Sequence, residues 1–216
     1  MQWLSSYLDK QSNLWFTCVS LLDFIYLTAD VGLGGGIVLG GKLFRGIGGY
    51  AGEVGHMAFD PNGAVCECGR RGCWESLVSP RSIVRNIQTL LRDDHPSRIR
   101  ELVSGNLDNI TFDIVLQAAS ANDTVARQAL RGVGGWLGIG IANLVNAFNP
   151  ELVVLGGALA QASHILTPVI EATVRENALR QPQEALRIAT SAYGSEACVV
   201  GAVAIVLDEI LRYPFP

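Results

Sequence analysis

Cys66-Glu67-Cys68-Gly69-Arg70-Arg71-Gly72-Cys73 places three thiols within eight residues, and His56 lies ten residues upstream of the first. Three thiolates and one imidazole form a closed tetrahedral donor set that favours zinc over magnesium or calcium, which take oxygen ligands. The two glycines of the motif permit the tight turns that converging sulfurs require. Four protein ligands leave no open coordination position, so the metal expected at His56, Cys66, Cys68 and Cys73 is structural rather than a Lewis acid. Three free cysteines in a loop, or an opportunistic disulfide, are the alternatives. In a reducing compartment a cluster so dense is better explained by a metal. Cys18 and Cys198 have no partner at ligand spacing and read as small buried apolar residues.

The chain around this cluster alternates strand and helix signals. Phe24 to Thr28 is a short β-rich run that enters a glycine-rich segment, Asp30 to Gly36, read as a loop. Ile37 to Leu39 and Lys42 to Phe44 flank Gly40-Gly41, a pair suited to a two-residue hairpin. Residues 46 to 75 read as loop, with Pro61-Asn62-Gly63 as turn chemistry, and a metal would account for their order. Ser79-Pro80 opens a helix, residues 92 to 110 are charged and turn-rich, and a further helix covers 111 to 119.

Asn122 or Asp123 caps a long helix to about Ala147, with Ala126, Leu130, Val133, Leu137, Ile141, Leu144 and Phe148 on one stripe. Gly132, Gly134, Gly135, Gly138 and Gly140 fall inside it, each at a cost of up to ~1 kcal/mol relative to alanine. Close approach of another backbone is the expected compensation. Asn149-Pro150 ends the helix, Leu152 to Gly157 reads as a buried strand running into a glycine turn, and a helix at 163 to 177, a strand at 186 to 190 and a helix at 197 to 211 follow. Residues 1 to 23 have no clean period and stay unplaced, which leaves 24 to 216 as one α/β domain.

Composition narrows the function. Hydrophobic residues make up 49% of the 216 and charged residues only 17%, against a usual charged share of ~25%. A large α/β core is one explanation; the other is a surface covered by another lobe or subunit, and on that reading a homo-oligomer is expected. The net charge of -4 and the lack of a Lys/Arg run give no electrostatic reason for this chain alone to bind nucleic acid. No basic region followed by an apolar run and a cleavage site marks the N-terminus, so a cytoplasmic location is expected. The apolar stretch from Leu14 to Leu27 is broken by Asp23 and falls short of the ~20 residues a membrane span needs.

Gly52-Glu53-Val54-Gly55-His56, followed by Cys66-x-Cys68-Gly69-x-x-Gly72-Cys73-x-Glu75, resembles the paired signature of the ROK family of sugar kinases and sugar-responsive repressors. The similarity runs from about residue 24 to 212. It implies an actin-like, ribonuclease-H-like α/β lobe, with most of the N-terminal lobe missing or replaced by residues 1 to 23. It also implies that Glu53, His56 and Glu75 contact the hydroxyls of a small-molecule sugar, the histidine serving zinc as well. Gly32, Gly34 and Gly35 match a glycine-rich phosphate loop, and Gly156 and Gly157 match the turn beside adenosine.

Three departures from the kinase pattern favour one branch over the other. The Asp-x-Gly-x-Thr phosphate loop is missing, and so is an Asn-Asp pair that would supply the base, since Asn122-Asp123 reads as a helix cap. Where kinases carry Gly-Thr-Gly, this chain has Asp30-Val31-Gly32, which trades a hydroxyl suited to phosphate for an anion that repels it. The expectation is a non-catalytic sugar sensor from a ROK repressor whose DNA-binding segment lies outside this sequence. The alternative is a truncated ATP-dependent hexose or N-acetylhexosamine kinase, and only there do ATP and magnesium enter. A ligand-free oligomerising scaffold is the third class.

Overall fold

The computed structural model describes residues 22–93 and 95–193. Three strands come first: β1 (Phe24–Ala29), β2 (Leu33–Leu39) and β3 (Lys42–Leu43). They form an antiparallel meander in which Phe24 faces Val38 and Val38 faces Leu43. Gly40 and Gly41 join β2 to β3 with φ of 57° and 72°, the two positive angles of a hairpin turn that matches strand twist.

The segment from Asp30 to Gly36 is not the loop that its glycines suggest. Only Asp30 to Gly32 turn, and Gly34, Gly35 and Gly36 lie in β2 opposite Thr28, Leu27 and Tyr26. Strand pairing overrides glycine's weak β preference here, and close packing explains why glycine is used. A Cβ on Gly35 would stand 2.8 Å from Val54 Cγ2 and 3.0 Å from the Gly52 carbonyl oxygen.

Helices α1 (Glu75–Val78) and α2 (Pro80–Arg92) follow the cysteine-rich segment. Ser79 caps α2 by accepting from the Ser82 amide at 3.3 Å, with Pro80 at the first position, the arrangement that the Ser-Pro pair signals. The charged stretch after α2 contains a short helix, α3 (Ile99–Leu102), and a 3-10 turn at Leu107–Asn109, and α4 (Phe112–Ser120) comes next.

The long helix α5 (Thr124–Phe148) is capped by Asp123 rather than Asn122. One Asp123 oxygen accepts from the Ala126 amide at 2.9 Å; the other accepts from Ser97 Oγ at 2.9 Å and the Arg98 amide at 2.6 Å. The cap therefore also ties the preceding segment to the helix. Asn149, at φ 47°, ends α5 by donating its amide to the Val145 carbonyl, and Pro150 prevents continuation.

Strand β4 (Leu152–Gly156) is buried along its whole length because it pairs in parallel with β1 on one side and β5 (Arg187–Thr190) on the other. Between β4 and β5 run α6 (Gly157–Gln161), α7 (Ser163–Asn177) and α8 (Arg180–Ala185). The sheet order is β3-β2-β1-β4-β5. Ile25, Leu27, Val153 and Leu155 point into the main core with Leu130, Leu137, Ile141 and Leu166 from the helices, while Tyr26, Leu152 and Val154 gather on the opposite face.

Only part of the glycine row in α5 is explained by a neighbouring backbone. A Cβ on Gly134 would sit 2.9 Å from Val169 Cβ, and one on Gly138 would collide with Thr173 and stand 3.1 Å from the Ile170 carbonyl oxygen. These two glycines let α7 approach. Gly140 instead receives the indole ring of Trp74, and Gly132 and Gly135 meet nothing within 4 Å among the described residues. No helix among the described residues is long and apolar enough to cross a membrane. The expected helix at 197 to 211, the segment 1 to 21, Cys18 and Cys198 lie outside the described residues.

Candidate metal and sugar site

The cysteine-rich segment is folded by its backbone before any ligand is considered. The Cys66 amide donates to the Arg70 carbonyl at 2.7 Å and the Gly69 amide to the Cys66 carbonyl at 2.9 Å, closing a tight turn around Cys68. Gly72 sits against the backbone of Asp60, its carbonyl accepting from the Phe59 amide at 2.8 Å. Ala58 and Cys73 form an antiparallel bridge. Two stretches of chain are thereby pinned so that side chains from both converge.

His56, Cys66, Cys68 and Cys73 offer ligand atoms that all lie within 4.8 Å of one another. Cys68 Sγ is 3.6 Å from Cys73 Sγ, and Cys66 Sγ is 3.7 Å from His56 Nδ1. Tetrahedral ligands bonded at ~2.0–2.3 Å stand roughly 3.3–3.9 Å apart, so these spacings fit one metal ion. As thiols the three are unlike. Burial, and then the hydrogen bond from its thiol to Glu75, push Cys66 up to about 12. Burial also raises Cys73, whereas the Arg70 backbone amide draws the exposed Cys68 down to about 6.

Glu53 and Glu75 stand on either side of the histidine. His56 Nε2 is 3.8 Å from Glu53 Oε2 and Nδ1 is 3.9 Å from Glu75 Oε1. Glu75 is fixed: Oε1 accepts from Cys66 Sγ at 2.9 Å and Oε2 from the Leu33 amide at 3.2 Å. Glu53, its side chain 63% exposed, is free to meet a solute. His56, Cys66, Glu75 and Gly32 line a cavity of about 860 Å³ that runs along α2 past Arg81 and Arg85. Both carboxylates and the histidine are thus grouped, with Glu75 and His56 inside the cavity and Glu53 at the ring's other nitrogen.

The glycines matched to a nucleotide separate into three places. Gly32 lines the cavity, and an added Cβ there would overlap Glu75 Oε2; its neighbour is a carboxylate. Gly34 and Gly35 lie in β2, away from any turn. Gly156 and Gly157 lie where β4 passes into α6, and Gly157 adopts φ 56°. Asp30 Oδ1 would stand 2.6 Å from a Cβ at Gly157, and Thr28 Oγ1 would stand 2.8 Å away. An aspartate therefore occupies the carboxyl end of the parallel strands β1 and β4. Sequence reasoning missed the cradle that Gly32 and the Leu33 amide make for Glu75.

An antiparallel meander continued by two parallel strands, covered by a long helix and its crossover partner, is a lobe of the actin-like ATPase architecture. The chain belongs to the ROK family, whose model matches residues 19–209. It is 34% identical to the xylose repressor of Caldicellulosiruptor bescii, over 98% of this chain and 54% of that protein. It is 32% identical to the DNA-binding transcriptional dual regulator NagC of Escherichia coli, over 88% of this chain and 45% of that protein. Among solved structures, a ROK family transcriptional regulator homologous to the E. coli MLC protein aligns with a TM-score of 0.72 at 32% identity, covering 80% of this chain and 42% of that one. A ROK family glucokinase from Streptomyces griseus, in complex with glucose and AMPPNP, aligns with a TM-score of 0.79 at 31% identity, covering 86% and 61%. The chain spans about half the length of the curated relatives it matches.

Proposed function

We propose that this chain is the sugar-sensing part of a ROK transcriptional regulator, acting together with a DNA-binding part that lies outside this sequence. The observation that carries the reading is the placement of Glu53 and Glu75 at the two nitrogens of a histidine that also belongs to the four-residue metal cluster. Carboxylates accept strongly from the adjacent hydroxyls of a sugar, and a histidine with one nitrogen on a metal directs the other outward. The metal is zinc, held by His56, Cys66, Cys68 and Cys73. It supplies order rather than chemistry, fixing His56 and the turn that carries Cys66, Cys68 and Cys73, while the Leu33 amide holds the carboxylate of Glu75.

A sensor is favoured over a kinase by Asp30. Phosphoryl transfer depends on positioning and on neutralising charge at the phosphates, and the Asp30 carboxylate beside Gly157 opposes both. The similarity to repressors of xylose and N-acetylglucosamine genes agrees. We further propose that the chain self-associates through the outward face of α5, where Gly132 and Gly135 meet no described neighbour and Trp136 is 38% exposed.

A coupled assay with ATP, magnesium and a panel of xylose, glucose, mannose and N-acetylglucosamine tests the reading. No turnover is expected with any of them. Turnover that disappears in Glu75→Ala would overturn the sensor reading in favour of the ATP-dependent kinase.

A further inference from the structure

We propose that Trp74 is the positioning residue of this site: its indole, keyed into the notch that Gly140 leaves in α5, sets Cys73 on one side of it and Glu75 on the other. This rests on the zinc reading above and adds a residue to it that is neither a metal ligand nor a sugar contact.

Trp74 is fully buried. The six-membered edge of its ring, Cε2, Cζ2 and Cη2, fills the space where a side chain at position 140 would begin. Its Nε1–H donates to the carbonyl oxygen of Trp136 at 3.0 Å, one turn earlier on the same helix. Phe59 stacks on the ring with centroids 5.2 Å apart and planes 10° from parallel. The Trp74 amide donates to the Met57 carbonyl at 2.8 Å, next to His56. Position, tilt and rotation of the ring are therefore all fixed, by a steric notch, a stacked partner and a directed hydrogen bond.

Filling an apolar hole would require none of the directed contacts, nor a glycine inside a helix. What the arrangement does achieve is geometric. Cys73, Trp74 and Glu75 are consecutive, so an indole locked to α5 fixes the backbone on both sides of itself. Cys73 then meets Cys68 at 3.6 Å, and Glu75 reaches Cys66 at 2.9 Å and the Leu33 amide at 3.2 Å. Groups that orient metal ligands from behind are worth roughly 10- to 100-fold in metal affinity when altered, and a site loosened by about 1 Å loses its preorganisation. The long helix is the rigid element on which the knuckle is registered.

The test measures zinc affinity of the full chain by competition with a chromophoric chelator, the visible spectrum after cobalt substitution, and thermal unfolding. Gly140→Ala inserts a methyl where the indole lies; alanine is the better helix former, so propensity alone would stabilise the variant. Its zinc affinity is expected to fall about tenfold or more, with weakened tetrahedral cobalt bands. Adding Trp74→Phe, whose shorter ring vacates the notch, brings the affinity back to that of Trp74→Phe alone. Trp74→Phe alone, lacking the Nε1 donor, loses several-fold and carries the test if Gly140→Ala does not fold. Leu137→Ala, a core truncation on the same helix, lowers the unfolding temperature but leaves zinc affinity within about twofold. Unchanged affinity in Trp74→Phe, or an equal loss in Leu137→Ala, overturns the assignment while wild-type zinc binding stands. A wild type that binds no zinc takes down the zinc reading and this inference together.

Discussion

Replacing Gly32 with alanine distinguishes a glycine kept for a phosphate from one kept for Glu75. Gly32 is not among the glycines with positive φ, so its backbone accepts alanine. Among the described residues, the only atoms an added Cβ would meet are Oε2 and Cδ of Glu75. The methyl must push that carboxylate off the Leu33 amide, which it now accepts at 3.2 Å. A hydrogen bond to a charged group contributes ~1.5–3 kcal/mol, and glycine to alanine in a permitted conformation returns ~0.4–1 kcal/mol through the unfolded chain. The net loss is about 1–2 kcal/mol, which at ~2–4 °C per kcal/mol for a chain of this size lowers the melting temperature by roughly 2–8 °C. Thermal and urea unfolding of the wild type, Gly32→Ala, Glu75→Ala and the double variant provide the assay. With the carboxylate gone the alanine meets nothing, so the double variant is no less stable than Glu75→Ala alone. Additive losses, or a Gly32→Ala chain that melts at or above the wild-type temperature, refute the reasoning.

Three further outcomes follow from the site and the α5 surface. Cys68→Ser removes one of four ligands, and because structural zinc contributes ~10 kcal/mol or more of apparent binding free energy, the variant should lose stoichiometric zinc and melt well below the wild type; elemental analysis with thermal unfolding checks both. Cys66 and Cys73 are held above the usual thiol range and so carry protons at neutral pH, while Cys68, near 6, is largely thiolate. Zinc must displace the protons that Cys66 and Cys73 carry, so affinity falls as pH falls, and falls more steeply below about pH 6 where Cys68 gains its own; calorimetry in two buffers should show net proton release at neutral pH, and none contradicts the environments described. Trp136→Glu places a charge on the outward face of α5 and should convert a self-associating wild type to monomer in light scattering, whereas a monomeric wild type at micromolar concentration removes the proposed interface.

The metal cluster was legible because its determinants are local: ligand spacing and flanking glycines are properties of a few consecutive residues. The helix caps were legible for the same reason, since Ser79, Asp123 and Asn149 bond to amides or carbonyls within four residues. Gly34 to Gly36 misled because glycine signals a turn locally, and only the pairing partners Tyr26 to Thr28 and the approach of Gly52 make the segment a strand. The same limit hid the link between Gly32 and Glu75 and the seating of Trp74 on Gly140, contacts between residues that lie several elements apart in the chain. Close approach explained Gly134 and Gly138 as anticipated. Gly140 answers to an aromatic ring instead, which composition does not encode.

Ligand-observed NMR of the zinc-loaded chain with xylose, glucose and N-acetylglucosamine, at millimolar sugar and without ATP, tests most directly that this chain senses a sugar. At least one sugar should show saturation transfer that is lost in Glu75→Ala and after chelation of the zinc, because the carboxylate meets the sugar directly and the histidine that meets it is held by the metal. Transfer from none of the three, or transfer that Glu75→Ala leaves intact, contradicts the proposed site.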